Sequence, residues 1–255
     1  MTAVTPATAF SLQSVSLEFP APSVKQLFSS RFFSSLLGRT VTDQIQYKKF
    51  LALDNLNFQI LQGDRVALIG HNGAGKSTLL RLLAGIYKPS HGTLTVSSRP
   101  YALLDKSFIT STDLSGIEAA TAAYLQINKS LKGFDEFLLE ISEFTELQAF
   151  MSKPIASYSD GMRTRLLFAL LTAFYHPILL IDEIFGVGDR AFFEKAQERL
   201  DNFLKKSGTL VFASHNDDLL HRYCNKAILL SHGRIVQIGS LDSVLSTYHS
   251  RTDHL

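Results

Sequence analysis

Eight consecutive residues, Gly70-His71-Asn72-Gly73-Ala74-Gly75-Lys76-Ser77, restrict what this chain can become more than any other stretch. They follow the apolar run Val66-Ala67-Leu68-Ile69, which reads as a buried strand. They lead into Thr78-Leu79-Leu80-Arg81-Leu82-Leu83-Ala84-Gly85, which has helical spacing and stops at a glycine. Strand, glycine-rich turn and helix come in the order that a phosphate-binding loop needs. The glycines allow successive backbone N–H groups to turn inward around phosphate oxygens, and the helix start adds roughly half a positive charge at the same place. In this motif Lys76 reaches the β- and γ-phosphates, the Ser77 hydroxyl holds Mg²⁺, and Thr78 opens the helix behind them.

The rest of the chain can house such a site. At 255 residues, with 45% hydrophobic and 19% charged, it can bury one large core or two smaller ones. A net charge of +2 is too small to argue for nucleic acid, and none is expected as a partner. The single cysteine, Cys224, excludes an internal disulfide and any multi-cysteine metal site, so packing is its expected role. No apolar run approaches the roughly 20 residues of a membrane-spanning helix. The chain is therefore expected to be soluble in the cytoplasm, or attached to a membrane through something else.

Ahead of the loop, Phe10, Leu12, Val15, Leu17 and Phe19 alternate as a strand closing at Pro20. Leu53, Leu56, Phe58 and Ile60 mark a second, and the two are expected to pair as an antiparallel edge sheet. Between them, the insert from Pro20 to Lys49 gathers Val24, Leu27, Phe28, Phe32, Phe33, Leu36 and Leu37 on one broad helical face, with Lys25, Arg31 and Arg39 nearby. Two readings are open for it: a helix covering the protein's own core, or one lying against a membrane surface or membrane subunit. Beyond the loop, Gly92–Val96 and Tyr101–Leu104 read as strands, and Leu114–Met151 repeats apolar residues at three and four as a helical insertion. Ser159 is the expected cap of a helix running to Tyr175.

Two aliphatic runs then end in polar groups. Ile178-Leu179-Leu180-Ile181 delivers Asp182-Glu183, and Thr209-Leu210-Val211-Phe212-Ala213 delivers Ser214-His215. Runs without alternation suit parallel strands buried on both faces, whose carboxyl edge carries the ligand groups. Asp182 beside Mg²⁺ avoids the cost of a dry, unpaired carboxylate. Glu183 points to the other side of the strand end and can deprotonate a water for attack on the γ-phosphorus. The alternative is an acidic pair that salt-bridges a helix. His215 suits a hydrogen bond to the γ-phosphate, against the alternative of a structural histidine. Ala227–Leu230 and Arg234–Gln237 flank Ser231-His232-Gly233 as a hairpin, with a tail helix after Gly239.

The loop, Tyr158-Ser159-Asp160-Gly161-Met162 upstream of Asp182-Glu183, and His215 together resemble the ATP-binding subunit of an ABC transporter, across roughly residues 9 to 240. The resemblance implies an α/β fold: a P-loop NTPase (RecA-like) core with an antiparallel β edge subdomain and an inserted α-helical subdomain. It also implies a single nucleotide-binding domain. In that scheme 9–105 and 166–240 form the core, 20–49 the amphipathic insert, 106–165 the helical subdomain and 241–255 a tail, with no C-terminal carbohydrate-binding domain. In that family the serine-glycine signature of one subunit caps the ATP held by another. Ser159 and Gly161 would then contact a partner's γ-phosphate in a head-to-tail homodimer.

The form Tyr-Ser-Asp-Gly-Met, the run Ile184–Asp189 and the insert are similar to the ATPases that export capsular polysaccharide, O-antigen and teichoic acid. By that resemblance Asp189 falls in the dimer-crossing segment, and Phe19 either stacks on adenine, with Phe50 as competitor, or is a core phenylalanine. The family's usual glutamine is missing between Leu104 and Gly116, leaving Thr110 or a neighbour in its place. The implied activity is ATP hydrolysis, with Mg²⁺, driving export of a lipid-linked polysaccharide through an integral-membrane permease at the cytoplasmic face of a bacterial cell membrane. A soluble non-transport ABC ATPase, or a transporter ATPase for another substrate, is the alternative.

Overall fold

Two sheets and their helices order the chain, and the computed structural model describes residues 7–22, 47–104, 112–182 and 190–252. These fall into two compact units. The first takes Met1–Gln62, Val66–Arg99 and Asn225–Leu255, and the second takes Gly63–Arg65 and Pro100–Cys224.

In the first unit, strands β1 (Thr8–Pro22), β2 (Tyr47–Leu61) and β4 (His91–Val96) form an antiparallel sheet in the order β2-β1-β4. This is the expected edge pairing, with longer strands: β1 runs through Pro20 to Pro22, and β2 begins at Tyr47, which pairs with Pro22. Alternation along β1 breaks between Leu12 and Val15, where the register slips and Ser14 adopts φ +50°. That bulge returns Val15 and Leu17 to the buried face, and the Asn57 side chain accepts from the Ser14 amide at 2.7 Å. Strand β3 (Arg65–Ile69), buried from Val66 onward, pairs in parallel with β8 (Lys226–Ser231), which turns antiparallel into β9 (Arg234–Ser240). The His232-Gly233 turn has φ of +48° and +75°, as a two-residue hairpin that keeps the strand twist requires. Helices α1 (Lys76–Leu83) and α7 (Leu241–Thr252) complete the unit.

In the second unit, β5 (Tyr101–Leu103), β6 (Ile178–Asp182) and β7 (Thr209–Ala213) run parallel in that order. Four residues of β6 and all five of β7 are buried, which explains their unbroken aliphatic runs. Helices α2 (Gly116–Asn128) and α3 (Phe134–Thr145) lie in the stretch Leu114–Met151 expected to be helical, while α4 (Asp160–Leu171) starts after Ser159 as expected but ends at Leu171, short of Tyr175; α5 (Arg190–Lys206) and α6 (Asp217–Tyr223) lie beside the strands in sequence. A capping box starts α2: the Ser115 hydroxyl accepts from the Glu118 amide, and the Glu118 carboxylate accepts from the Ser115 amide at 2.7 Å, holding that carboxyl below its usual range. The apolar core here joins Ile141, Phe144, Leu147, Met151, Phe168 and Phe192. Arg65 donates to the carbonyls of Leu204, Lys205 and Ser207 at 2.6, 3.2 and 3.3 Å, satisfying the end of α5. Of the insert 20–49, both described ends are strand, within β1 and β2, and residues 23–46 lie outside the described residues, as do Thr110, Glu183 and Asp189.

Candidate phosphate-binding site

The loop expected to grip phosphate is held from behind by three strands of its own unit. The backbone passes so close to β8 that a Cβ on Gly70 would stand 2.4 Å from the Leu230 carbonyl oxygen, so nothing larger than glycine fits. At the hairpin tip, Gly233 donates to the Ala74 carbonyl at 2.9 Å while its own carbonyl accepts from the Asp54 amide at 2.9 Å. Arg234 closes the arrangement with two contacts to Asp54 Oδ2, 2.7 Å from Nε and 2.5 Å from Nη2. Gly75 caps α1 in the left-handed region, at φ +108°. Ala74 is buried, whereas Asn72 and Gly73 are exposed at the rim.

Lys76 lies across the loop, its ammonium donating to the carbonyls of Gly70 at 2.6 Å and His71 at 3.2 Å. The side chain is thus already folded over the turn that a phosphate would fill. Ser77 and Thr78 follow in the first turn of α1, half-buried. His71 pairs its Nδ1 with the Asn72 carbonyl at 2.8 Å, and its ring meets that of His232 at a centroid distance of 4.8 Å. The role of the hairpin tip and of Asp54 was not visible in the sequence. The turn was legible as a turn, but nothing local links it to a loop some 160 positions earlier.

In the second unit the expected residues occupy one edge. Register sets Asp182 opposite Ala213, and the chain continues directly into Ser214 and the exposed His215. Asp182, half-buried at the end of β6, and the Ser77 hydroxyl are hard oxygen donors of the kind Mg²⁺ selects. Among the described residues no group of three or more His, Cys, Asp or Glu is placed to hold a metal ion by itself.

The signature segment takes the cap expected of it. Ser159 opens α4, its hydroxyl accepting from the Met162 amide at 3.2 Å. Tyr158 is 2% exposed and donates to the Phe150 carbonyl at 2.7 Å, anchoring the segment from below. Ser159, Asp160 and Gly161 face outward. A Cβ on Gly161 would meet nothing nearer than Ser159 Oγ at 3.9 Å, so this chain's own packing does not demand glycine there.

Phe19 and Phe50 sit directly opposite each other on β1 and β2. The Phe19 ring packs edge-on against Tyr87, with centroids 5.2 Å apart, while Phe50 is 60% exposed.

Comparison with known proteins decides the family. The ABC transporter family model matches residues 53–186, more than half of the chain. This chain belongs to that family. Among relatives of the ABC protein, the O-antigen export system ATP-binding protein RfbE of Yersinia enterocolitica is 43% identical over 186 residues, covering 73% of this chain and 78% of that one. RfbB of Klebsiella pneumoniae, of the same description, is 35% identical across 79% of this chain and 82% of its own. The teichoic acids export ATP-binding protein TagH of Shouchella clausii is 32% identical, covering 80% of this chain and 56% of its own. An ABC transporter ATP-binding subunit of known structure superposes with a TM-score of 0.64 at 22% identity, covering 95% of this chain and 94% of that one, which supports the α/β P-loop fold. The resemblance to O-antigen and teichoic acid exporter ATPases is borne out by these relatives.

Proposed function

We propose that this ABC protein is the ATP-hydrolysing subunit of an exporter that moves a polysaccharide, lipid-linked and of the O-antigen, capsule or teichoic acid kind, across a bacterial cytoplasmic membrane. The observation that carries the reading is the 43% identity to an O-antigen exporter ATPase across most of both chains. The backbone-braced phosphate loop is consistent with it.

In this reading the loop amides of Gly70–Gly75, Lys76 and the start of α1 bind the β- and γ-phosphates, and Ser77 and Asp182 hold Mg²⁺. The metal, when bound, neutralises charge on the phosphate oxygens. Glu183 takes a proton from the attacking water, and His215 donates a hydrogen bond to the γ-phosphate. Phe19, or Phe50 across the register, stacks on adenine.

Ser159 and Gly161 cap the triphosphate of a second copy, a role supported by their exposure, by the helix N-terminus beneath them and by a glycine that the chain's own packing does not require. The chain then works as one nucleotide-binding domain with its helical region, about 106–165, toward a membrane permease. No helix among the described residues is long and apolar enough to cross a membrane.

Deletion of the gene in its host tests this reading. Polymer should accumulate on the cytoplasmic side, and export should return with the wild-type chain but not with Lys76→Ala. Normal surface polymer in the deletion strain would overturn the substrate assignment.

A further inference from the structure

Helix α4 presents the Ser159 tip at its N-terminus, where Tyr158 secures it through the Phe150 carbonyl, but its far end is held by a different element. The last carbonyls of a helix lack partners within it, and the helix dipole favours a cation there. At the C-terminus of α4 the Thr172 amide donates to the Phe168 carbonyl at 3.1 Å, while the Ala169 carbonyl accepts from Nη2 of Arg199, on α5, also at 3.1 Å. The same guanidinium donates from Nε to Thr172 Oγ1 at 2.8 Å and from Nη1 to the Glu140 carboxylate of α3, and it stands 4.3 Å from the centre of the Phe144 ring. Arg199 thus joins three helices. Its side chain is only 16% exposed, so water and salt screen these charge-assisted bonds less than they would at the open surface.

A second tie lies one turn earlier on α5. Glu146, which ends α3 in the left-handed region at φ +61°, accepts from Arg165 of α4 at 2.8 Å and faces the Lys195 ammonium of α5 at 3.6 Å. Positions 195 and 199 share a helix face, and Phe192 and Ala196 beside them enter the apolar core of α3 and α4. The direction of α4 is therefore set from α5. Twelve residues make α4 about 18 Å long, so a tilt of roughly 5° at its far end moves the Ser159 tip by ~1.5 Å. Misplacement by about 1 Å can slow a reaction by about two orders of magnitude.

We infer that Arg199 is a positioning residue for the tip: it fixes the direction of α4 and so sets where Ser159 and Gly161 meet the triphosphate held by a second copy. This rests on the shared-site reading above. A lesion at Arg199 of one copy then falls on the ATP of the other.

Phosphate release by whole purified chains tests this. Arg199→Met should still unfold cooperatively on heating and keep its affinity for a fluorescent ATP analogue, yet hydrolyse ATP about tenfold or more slowly than wild type. Mixed with Lys76→Ala, it should recover as far as a mixture of Ser159→Arg with Lys76→Ala does, because one site then joins an intact loop to an intact tip. Mixed with Ser159→Arg, it should stay slow, since both lesions lie on the tip side. Recovery with Ser159→Arg and none with Lys76→Ala would place the effect of Arg199 in its own copy's loop and overturn the inference. Wild-type turnover by Arg199→Met, or recovery with neither partner, would overturn it too. Should Arg199→Met fail to fold, Thr172→Val keeps the guanidinium but removes the oxygen that Nε binds, and the same two mixtures decide. A silent mixture of Ser159→Arg with Lys76→Ala beside an active wild type would instead remove the shared-site reading, and this inference with it.

Discussion

At the scale of single residues, the same helix-end physics serves opposite ends of the proposed ATP site. Gly75 begins α1 with no side-chain cap on the helix start, and Ser159 satisfies one of the orphan amides of α4 while leaving that helix start exposed. Replacing Lys76 by alanine should abolish tight ATP binding with little change in thermal stability, as fluorescent-nucleotide titration beside a melting curve would reveal. Ser159→Ala removes a cap and should cost about 1 kcal/mol in urea unfolding. His176 offers a pH prediction. Its ring stacks on Tyr101 with centroids 3.6 Å apart, and burial lowers its pKa from 6.5 to about 4. Between those two values the unfolded chain holds a proton that the folded chain refuses, so this group makes stability fall as pH drops from about 6.5 toward about 4. His176→Phe should flatten that part of the stability profile, and an unchanged slope would assign the acid sensitivity elsewhere. Cys224 is likewise pushed up, to about 12 by burial, so its thiol should resist alkylation at pH 8 until the protein unfolds.

At the scale of elements, what could be read from the sequence depended on whether the cause was local. The aliphatic runs of β3, β6 and β7 were legible because strands buried on both faces leave no alternation to confuse. The three-and-four spacing marks α2, yet it overstates burial there: Ile127 is 42% exposed, since a repeat records a face and not what covers it, and Phe150, in the same expected helical stretch, lies in a 3-10 turn beyond α3 and is 39% exposed. The bulge at Ser14 escaped notice because its Asn57 partner is 43 positions away. The glycine-rich loop was legible for a local reason, namely that its backbone shape requires those residue types. Its brace of Asp54, Gly233 and Arg234 was not, because only tertiary structure brings them together. The core of the second unit gives a measurable case. Ile141 is fully buried there, and Ile141→Ala should cost about 2–5 kcal/mol by urea unfolding. A loss below about 1 kcal/mol would mean that α3 is not seated as described.

At the scale of the whole molecule, the proposal requires two chains, because it has the exposed Ser159-Gly161 tip cap a triphosphate held by another copy. ATP would then shift a population of open dimers toward closed ones, and hydrolysis would return it. The direct test mixes two purified variants, each inactive alone. Lys76→Ala removes the grip on phosphate, and Ser159→Arg blocks the opposing tip. In a head-to-tail pair of one copy of each, one site carries both lesions and the other carries neither. Phosphate release should therefore be near background for each variant separately and should recover when the two are mixed. A mixture as silent as its components, under conditions where wild type hydrolyses ATP, would contradict a site shared between two copies.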